Sequence, residues 1–146
     1  MVTVGCLVGT VAAGCGGGDH HASDQQQATA VVRSFLQSLP AGDAATTCSM
    51  LTDEAQRRFV AFVGRRAAGA GPAPGTCEDA VGVVRIAVPK PTLSAISKAR
   101  VERVAVHGNT ATGRVVDGGA FTAQRVTLAK HDGHWQISGV PTLIGS

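Results

Sequence analysis

The chain has 146 residues, which indicates one domain, since single domains usually run to about 100–200 residues. Hydrophobic residues make up 44% of it, but aromatic residues make up only 3% and tyrosine is absent, so a catalytic tyrosine is excluded. The net charge of +3, from 13 basic and 10 acidic residues, is too small to indicate a nucleic-acid-binding protein.

The start of the chain carries no charge before Asp19. Its apolar stretch, residues 2–13, is too short to span a bilayer, which takes about 20 residues, but it has the length of a signal-peptide core. The step Ala12-Ala13-Gly14-Cys15 resembles the lipobox of bacterial lipoproteins. An apolar tail on a cytosolic protein is the alternative. Cys6 is a weak competitor for the lipid, because hardly any apolar segment precedes it.

The lipobox resemblance implies an export and anchoring signal. Residues 1–14 would be a cleaved signal peptide, and Cys15 would receive a diacylglycerol thioether and become the acylated N-terminus. Two acyl chains anchor a protein stably where one chain binds only marginally. The resemblance therefore implies a cell-envelope protein on the outer face of the cell membrane. Residues 15–27, rich in Gly, Gln and other polar residues, are expected to form a flexible tether.

The two remaining cysteines, Cys48 and Cys77, form an even pair in an exported domain and predict one disulfide. Each lies on a predicted helix face with apolar neighbours, so the two meet if those helices pack together. Closing a loop of about 30 residues would stabilise the fold by roughly 3–4 kcal/mol. A pair of buried free thiols is the alternative.

Apolar residues at helical spacing predict four helices in the first part of the domain. The first begins at Ala28, and Asp43, Thr52 and Thr76 are expected to cap the second, third and fourth. The segment 64–75, rich in Gly, Pro and Ala, predicts a loop. The residues expected on the buried helix faces are Ala28, Val31, Val32, Phe35, Leu36, Leu39, Ala44, Cys48, Leu51, Ala55, Phe59, Phe62, Val63, Cys77, Ala80, Val81, Val84 and Ala87.

From residue 100 the pattern changes to stretches rich in Val and Thr, separated by turn sequences such as Gly108-Asn109 and Asp132-Gly133. Short turns between strands predict an antiparallel meander, with Trp135 in the core. Helices followed by strands indicate an α+β domain over residues 28–143, with the helices on one face of a curved sheet. The four strands are predicted at residues 100–107, 110–116, 120–130 and 134–140.

The order of these elements resembles the nuclear transport factor 2-like fold, in its small exported lipoprotein branch of actinobacteria. The resemblance covers about residues 25–143 and implies a cone-shaped sheet wrapped by helices, often around an apolar pocket. Ketosteroid isomerase-like members use a pocket carboxylate and a tyrosine. Since this chain has no tyrosine, no catalytic residue is transferred to it. The motifs that carry the resemblance are Leu39-Pro40-Ala41-Gly42-Asp43-Ala44, Cys48, Leu51-Thr52, Cys77-Glu78-Asp79-Ala80-Val81, Gly108-Asn109-Thr110-Ala111-Thr112 and the hairpin 128–137.

Three side chains are candidates for binding a ligand in such a pocket. Arg125 shares strand parity with Phe121 and Ala123, which makes it the best single candidate to face inward. Glu102 is the acidic residue within a predicted strand, and His107 lies at a strand end. Residues 85–130 hold eight basic and two acidic residues, which favours an acidic ligand. Basic side chains on the outer face of the sheet would give the same count.

Two other groups of residues could form a binding site or could be ordinary solvent-exposed surface. His131 and His134 flank the last turn, but two imidazoles without a placed carboxylate make an incomplete ligand set, so neither a metal nor another cofactor is expected. Arg57, Arg58 and Arg65 share one side of the third helix. They form either a solvated face or a contact with anionic lipid headgroups.

Two functions from different classes follow. The first is a membrane-anchored envelope lipoprotein whose non-enzymatic domain binds a small apolar or acidic ligand or a partner protein, with the open sheet face available to a homodimer. The alternative is an exported enzyme of the isomerase or dehydratase type, acting on a small apolar or acidic substrate. An enclosed cavity lined by Glu102, Arg125 or His107 would favour the enzyme or a ligand-binding domain, whereas a cone filled by side chains would favour an interaction module.

Overall fold

The computed structural model describes residues 19–69, 71–117 and 123–139, so the predicted signal peptide and Cys15 lie outside the described residues. The described chain is α+β, as predicted, with its helices ahead of an antiparallel sheet of strand order β1-β2-β3-β4. The elements are α1 (Asp19–Ala41), α2 (Ala44–Ser49), α3 (Asp53–Arg66), α4 (Cys77–Ala87), α5 (Lys90–Lys98), β1 (Arg100–His107), β2 (Thr110–Val116), β3 (Gln124–His131) and β4 (His134–Gly139).

The sheet is the predicted meander, and β1 and β2 begin and end where the sequence places them. Its β4 edge is covered by the chain between α2 and α3: the Thr52 N–H donates to the Ile137 carbonyl at 3.0 Å, and the Ile137 N–H donates to the Met50 carbonyl at 2.7 Å. Its β1 edge is interrupted by an irregularity in register between Glu102 and Ala105. The covered β4 edge and the irregular β1 edge both leave few backbone groups free to pair with a strand of another chain.

The helix caps follow the sequence. Thr52 accepts from the Ala55 N–H, and Thr76 with Asp79 forms a complete capping box. Asp43 caps α2, and its hydrogen bonds with the Thr46 side chain and then the Thr46 backbone hold the pKa of the Asp43 carboxyl below its usual value. Hydrogen bonds to a carboxylate favour its charged form. These local signals set the starts of α2, α3 and α4.

Helix α1 is longer than predicted, because it begins at Asp19. The expectation of a flexible tether is therefore wrong for residues 19–27. Asp24 accepts hydrogen bonds from Lys130 Nζ at 2.6 Å and from Trp135 Nε1 at 3.3 Å, and Gln25 Nε2 donates to the Val104 carbonyl at 2.8 Å. These partners are about 80–110 residues away in sequence, so no local pattern indicates them.

The contact of Asp24 with the sheet gives a stability prediction. Asp24→Ala removes the carboxylate that accepts from Lys130 and from the buried Trp135, and we expect the free energy of unfolding to fall by about 1–3 kcal/mol. Urea denaturation measures it. Glu54→Ala is the matched control: its pair with Arg58 is exposed on α3 and contributes about 0.5 kcal/mol or less. Equal losses in the two variants would contradict the assigned role of Asp24.

Helix α5 was not predicted. Pro89 and Pro91 indicate the end of α4, which does end at Ala87, but proline is also well accepted in the first turn of a helix. Leu93 and Ile96 then fall three residues apart and both are buried. Helix α5 packs against α1 and leads into β1.

Two sets of contacts hold the helices to each other and to the sheet. Buried apolar side chains of α1 and of the inner sheet face, including Phe35, Leu128 and Ile137, form the main core, and Trp135 is buried as predicted. The Cys48–Cys77 disulfide is present, with Cα atoms 6.0 Å apart, and it joins α2 to the first residue of α4. The predicted pairing is confirmed.

Candidate functional site

The three predicted ligand-binding residues do not meet in an enclosed pocket. Glu102, His107 and Arg125 are all exposed, and the register places Glu102 opposite Arg114 and Arg114 opposite Arg125. Arg125, the best candidate to face inward, faces outward, because Val126 takes the buried face of β3. This row of charged side chains therefore lies on the outer face of the sheet.

Three histidines at the ends of strands are also exposed. His131 and His134 are paired directly across the β3–β4 turn, and His107 ends β1. In residues 19–69, 71–117 and 123–139, no group of three or more His, Cys, Asp or Glu side chains could hold a metal ion. Among residues 23–69, 71–117 and 123–139, Asp24 and Asp117 are half-buried and the other Asp, Glu and His residues are exposed.

A cleft between α3 and α4 is the best candidate for a ligand site. It encloses about 300 Å³ and continues to the start of α5. Apolar side chains form most of its wall, among them Phe62 from α3, Val83 and Ala87 from α4, and Pro89. A pocket of this size is at the small end of the usual range of about 300–1,000 Å³ for small-molecule sites.

The helix sequences explain why the cleft is apolar. Helix α3 buries Phe59 and Val63, four residues apart, which leaves the adjacent Phe62 half-buried at the side of that stripe. On α4, Val83 and Ala87 are also four residues apart and share a face. Phe62 is less buried than predicted, and Ala87 is exposed although it was predicted to be buried. The small Ala87 side chain leaves space that a larger residue would fill.

One cation borders this apolar wall. Arg66, the last residue of α3, lines the cleft, and its guanidinium carbon lies 5.9 Å from the centroid of the Phe62 ring. At this distance the cation and the ring face attract each other. Arg65 precedes it and is exposed without lining the cleft. An apolar wall with a guanidinium beside it is complementary to a molecule that has an apolar body and an anionic head.

The described lining of the cleft is apolar apart from two side chains. Among the described residues that line the cleft, the polar side chains are those of Arg66 and Thr92, and none is an Asp, Glu, His or Cys. Proton transfer requires such a group within hydrogen-bond reach of the substrate. The cleft was not predicted from the sequence. The pattern that indicates it is the apolar pair Val83 and Ala87, which lies beside the buried residues of α4.

Comparisons with known proteins identify no relative, so the interpretation of the site depends on its geometry. No protein-family model, curated protein or solved structure matches the chain. Among the helices of the described residues, none is both long enough and apolar enough to cross a membrane.

Proposed function

We propose that the protein is a cell-envelope lipoprotein, anchored to the outer face of the membrane through Cys15, whose domain binds a small acidic amphiphile without converting it. The observation that carries the binding role is the apolar cleft of about 300 Å³ bordered by Arg66. The lipobox-like step ending at Cys15 supports the anchor. The α+β order, with helices ahead of an antiparallel meander, supports a nuclear transport factor 2-like fold as part of the same proposal.

The ligand class follows from the wall of the cleft. Burying a methylene group is worth about 0.8 kcal/mol, so Phe62, Val83 and Pro89 favour an aliphatic or alicyclic body. Arg66 favours a carboxylate or phosphate head, because a guanidinium presents donors that match such anions. The small volume favours one short ligand over a polymer.

The cleft does not favour the alternative of an exported isomerase or dehydratase. Such an enzyme needs a general base near its substrate, and the cleft offers no carboxylate or imidazole. The strand residues that were candidates for that role, Glu102 and His107, are exposed. Binding without turnover is therefore the better-supported function.

Titration with a fluorescent medium-chain fatty acid tests the cleft. We expect saturable binding with one site per chain, and Ala87→Trp should weaken it at least about tenfold, because the indole occupies the space taken by the apolar body. Arg66→Gln should weaken binding of the acid about tenfold, since a charge-assisted contact is lost. It should leave binding of the corresponding alcohol unchanged.

Two neighbouring positions supply controls. Ile86→Trp adds the same bulk to α4, but Ile86 is 89% exposed and does not line the cleft. Arg65→Gln removes a charge next to Arg66 that also lies outside the wall. Both should bind the fatty acid like the wild type. If Ala87→Trp and Ile86→Trp bind equally well, the cleft is not the site.

A further inference from the structure

A second pocket lies between α1 and the start of the sheet, and it encloses about 290 Å³. Helix α1 contributes Arg33 and Gln37 to its wall, the end of α5 contributes Ser97, and β1 contributes Arg100. The described residues that line it include none of those that line the cleft between α3 and α4. We call it the α1–β1 pocket. Its size suits a small molecule, at the lower end of the usual range of about 300–1,000 Å³.

The packing of α1 brings two arginines to this pocket. Arg33 and Gln37 are four residues apart, so they lie on the same face of α1. Helix α1 packs against both α5 and β1, and the short step from Lys98 to Arg100 joins those two elements. A helix and a strand that are distant in sequence therefore each supply one arginine to the same pocket.

The positive charge of the pocket is not neutralised by the acids that the structure describes. Neither Arg33 nor Arg100 forms an ion pair or a side-chain hydrogen bond with a described residue. No Asp or Glu is among the described lining residues. The exposed Glu102 lies two positions after Arg100, but Lys98 and Arg103 are exposed as well and add positive charge to the same stretch. Such an excess of positive charge attracts anions.

The rest of the wall is neutral or apolar. The Gln37 amide offers two uncharged donors. The Ser97 hydroxyl is already engaged within α5, where it donates to the Ser94 carbonyl at 2.9 Å. Leu36 is buried and Val101 is half-buried at the same pocket. These apolar side chains favour a ligand that carries a short apolar group beside its anionic head.

We propose that the α1–β1 pocket binds a phosphomonoester, with Arg33 and Arg100 contacting its phosphate. A phosphomonoester carries a charge of about −1.5 to −2 at pH 7, which matches two arginines. Its three terminal oxygens accept from two guanidiniums at once, whereas a carboxylate is filled by one bidentate guanidinium. This site depends neither on the lipid anchor nor on the proposed role of the cleft.

Isothermal titration calorimetry of the full-length protein with butyl phosphate, in a buffer without phosphate, tests the pocket. We expect one saturable site per chain. Arg33→Gln and Arg100→Gln should each weaken binding at least about tenfold, because each removes a charge-assisted contact. Both side chains are exposed, so the variants should fold like the wild type. Arg33→Lys keeps the charge but loses the paired donors, and it should still weaken binding severalfold.

Three controls separate this pocket from the cleft and from general attraction between charges. Arg66→Gln and Ala87→Trp alter the cleft, and Lys98→Gln removes a neighbouring charge that does not line the pocket. All three should bind butyl phosphate within about twofold of the wild type. A loss in Arg66→Gln that is absent from Arg33→Gln would place the ligand in the cleft and overturn the proposal. A loss in Lys98→Gln equal to that in Arg33→Gln would also overturn it.

Vesicles distinguish the two sources of this chemical group, a soluble ester and phosphatidic acid. The Cys15→Ala protein is sedimented with phosphatidylcholine vesicles, with and without phosphatidic acid. Sedimentation that requires phosphatidic acid and is lost in Arg33→Gln would identify a lipid phosphate as the ligand. Binding of butyl phosphate without sedimentation would identify a soluble ester. Binding of neither probe, or binding that does not depend on Arg33 and Arg100, would overturn the proposal.

Discussion

Replacing both Cys48 and Cys77 by alanine is expected to lower the free energy of unfolding by about 3–4 kcal/mol. The two cysteines are separated by 29 positions, so the bond restricts a long loop in the unfolded chain. It also fixes α2 to the start of α4, one of the helices that form the cleft. Guanidinium denaturation of the oxidised wild type and of the double variant measures the difference.

Two controls separate the bond from the side chains. Reduced wild type should unfold at nearly the same denaturant concentration as the double variant, whereas Cys15→Ala should match the oxidised wild type, because Cys15 lies ahead of α1. A loss below about 1 kcal/mol in the double variant would contradict the stabilising role assigned to the bond.

Cys15→Ala is expected to abolish membrane attachment. Without the thiol no diacylglycerol thioether forms, and no described helix is able to span the membrane in its place. The variant should move from the membrane fraction to the soluble fraction and should lose metabolic labelling by a palmitate analogue.

Cys6→Ala is the matched control for this change. It removes the other N-terminal thiol and should keep both the label and the membrane fraction. Labelling that persists in Cys15→Ala, or that is lost in Cys6→Ala, would show that the acceptor has been assigned to the wrong cysteine.

Local patterns predicted the parts of the fold that local interactions determine. The caps at Asp43, Thr52 and Thr76 lie where a hydroxyl or carboxylate precedes a helical stripe. The bounds of β1 and β2 follow from the Gly108-Asn109 turn between them. The disulfide was predicted because two cysteines remain after residues 1–15 and because each lies on a helix face with apolar neighbours.

The failures have a different physical origin. Residues 19–27 have polar sequence and are helical in a fold where Asp24 and Gln25 bind distant parts of the sheet. Arg125 was the candidate to face inward from its parity with Phe121 and Ala123, but Val126 and Leu128 occupy the core face. In both cases a tertiary contact outweighed the local pattern.

The cleft was missed for a third reason: a concave site depends on the space that two packed helices leave unfilled. The helical spacing of apolar residues predicted that Phe62 and Ala87 lie in the core. In the structure Phe62 is half-buried and Ala87 is exposed, and both line the cleft. Spacing alone does not show how closely α3 and α4 approach each other. The position of Arg66 beside the Phe62 ring likewise depends on where α3 ends.

Native mass spectrometry of the protein purified from the cells that produce it tests the proposed binding role most directly. The wild type is expected to carry one non-covalent acidic amphiphile per chain in addition to the lipid on Cys15. Ala87→Trp should keep the covalent lipid and lose the non-covalent ligand, whereas Ile86→Trp should keep both. A wild-type chain that carries no ligand, or an Ala87→Trp chain that carries the same one, would contradict the account.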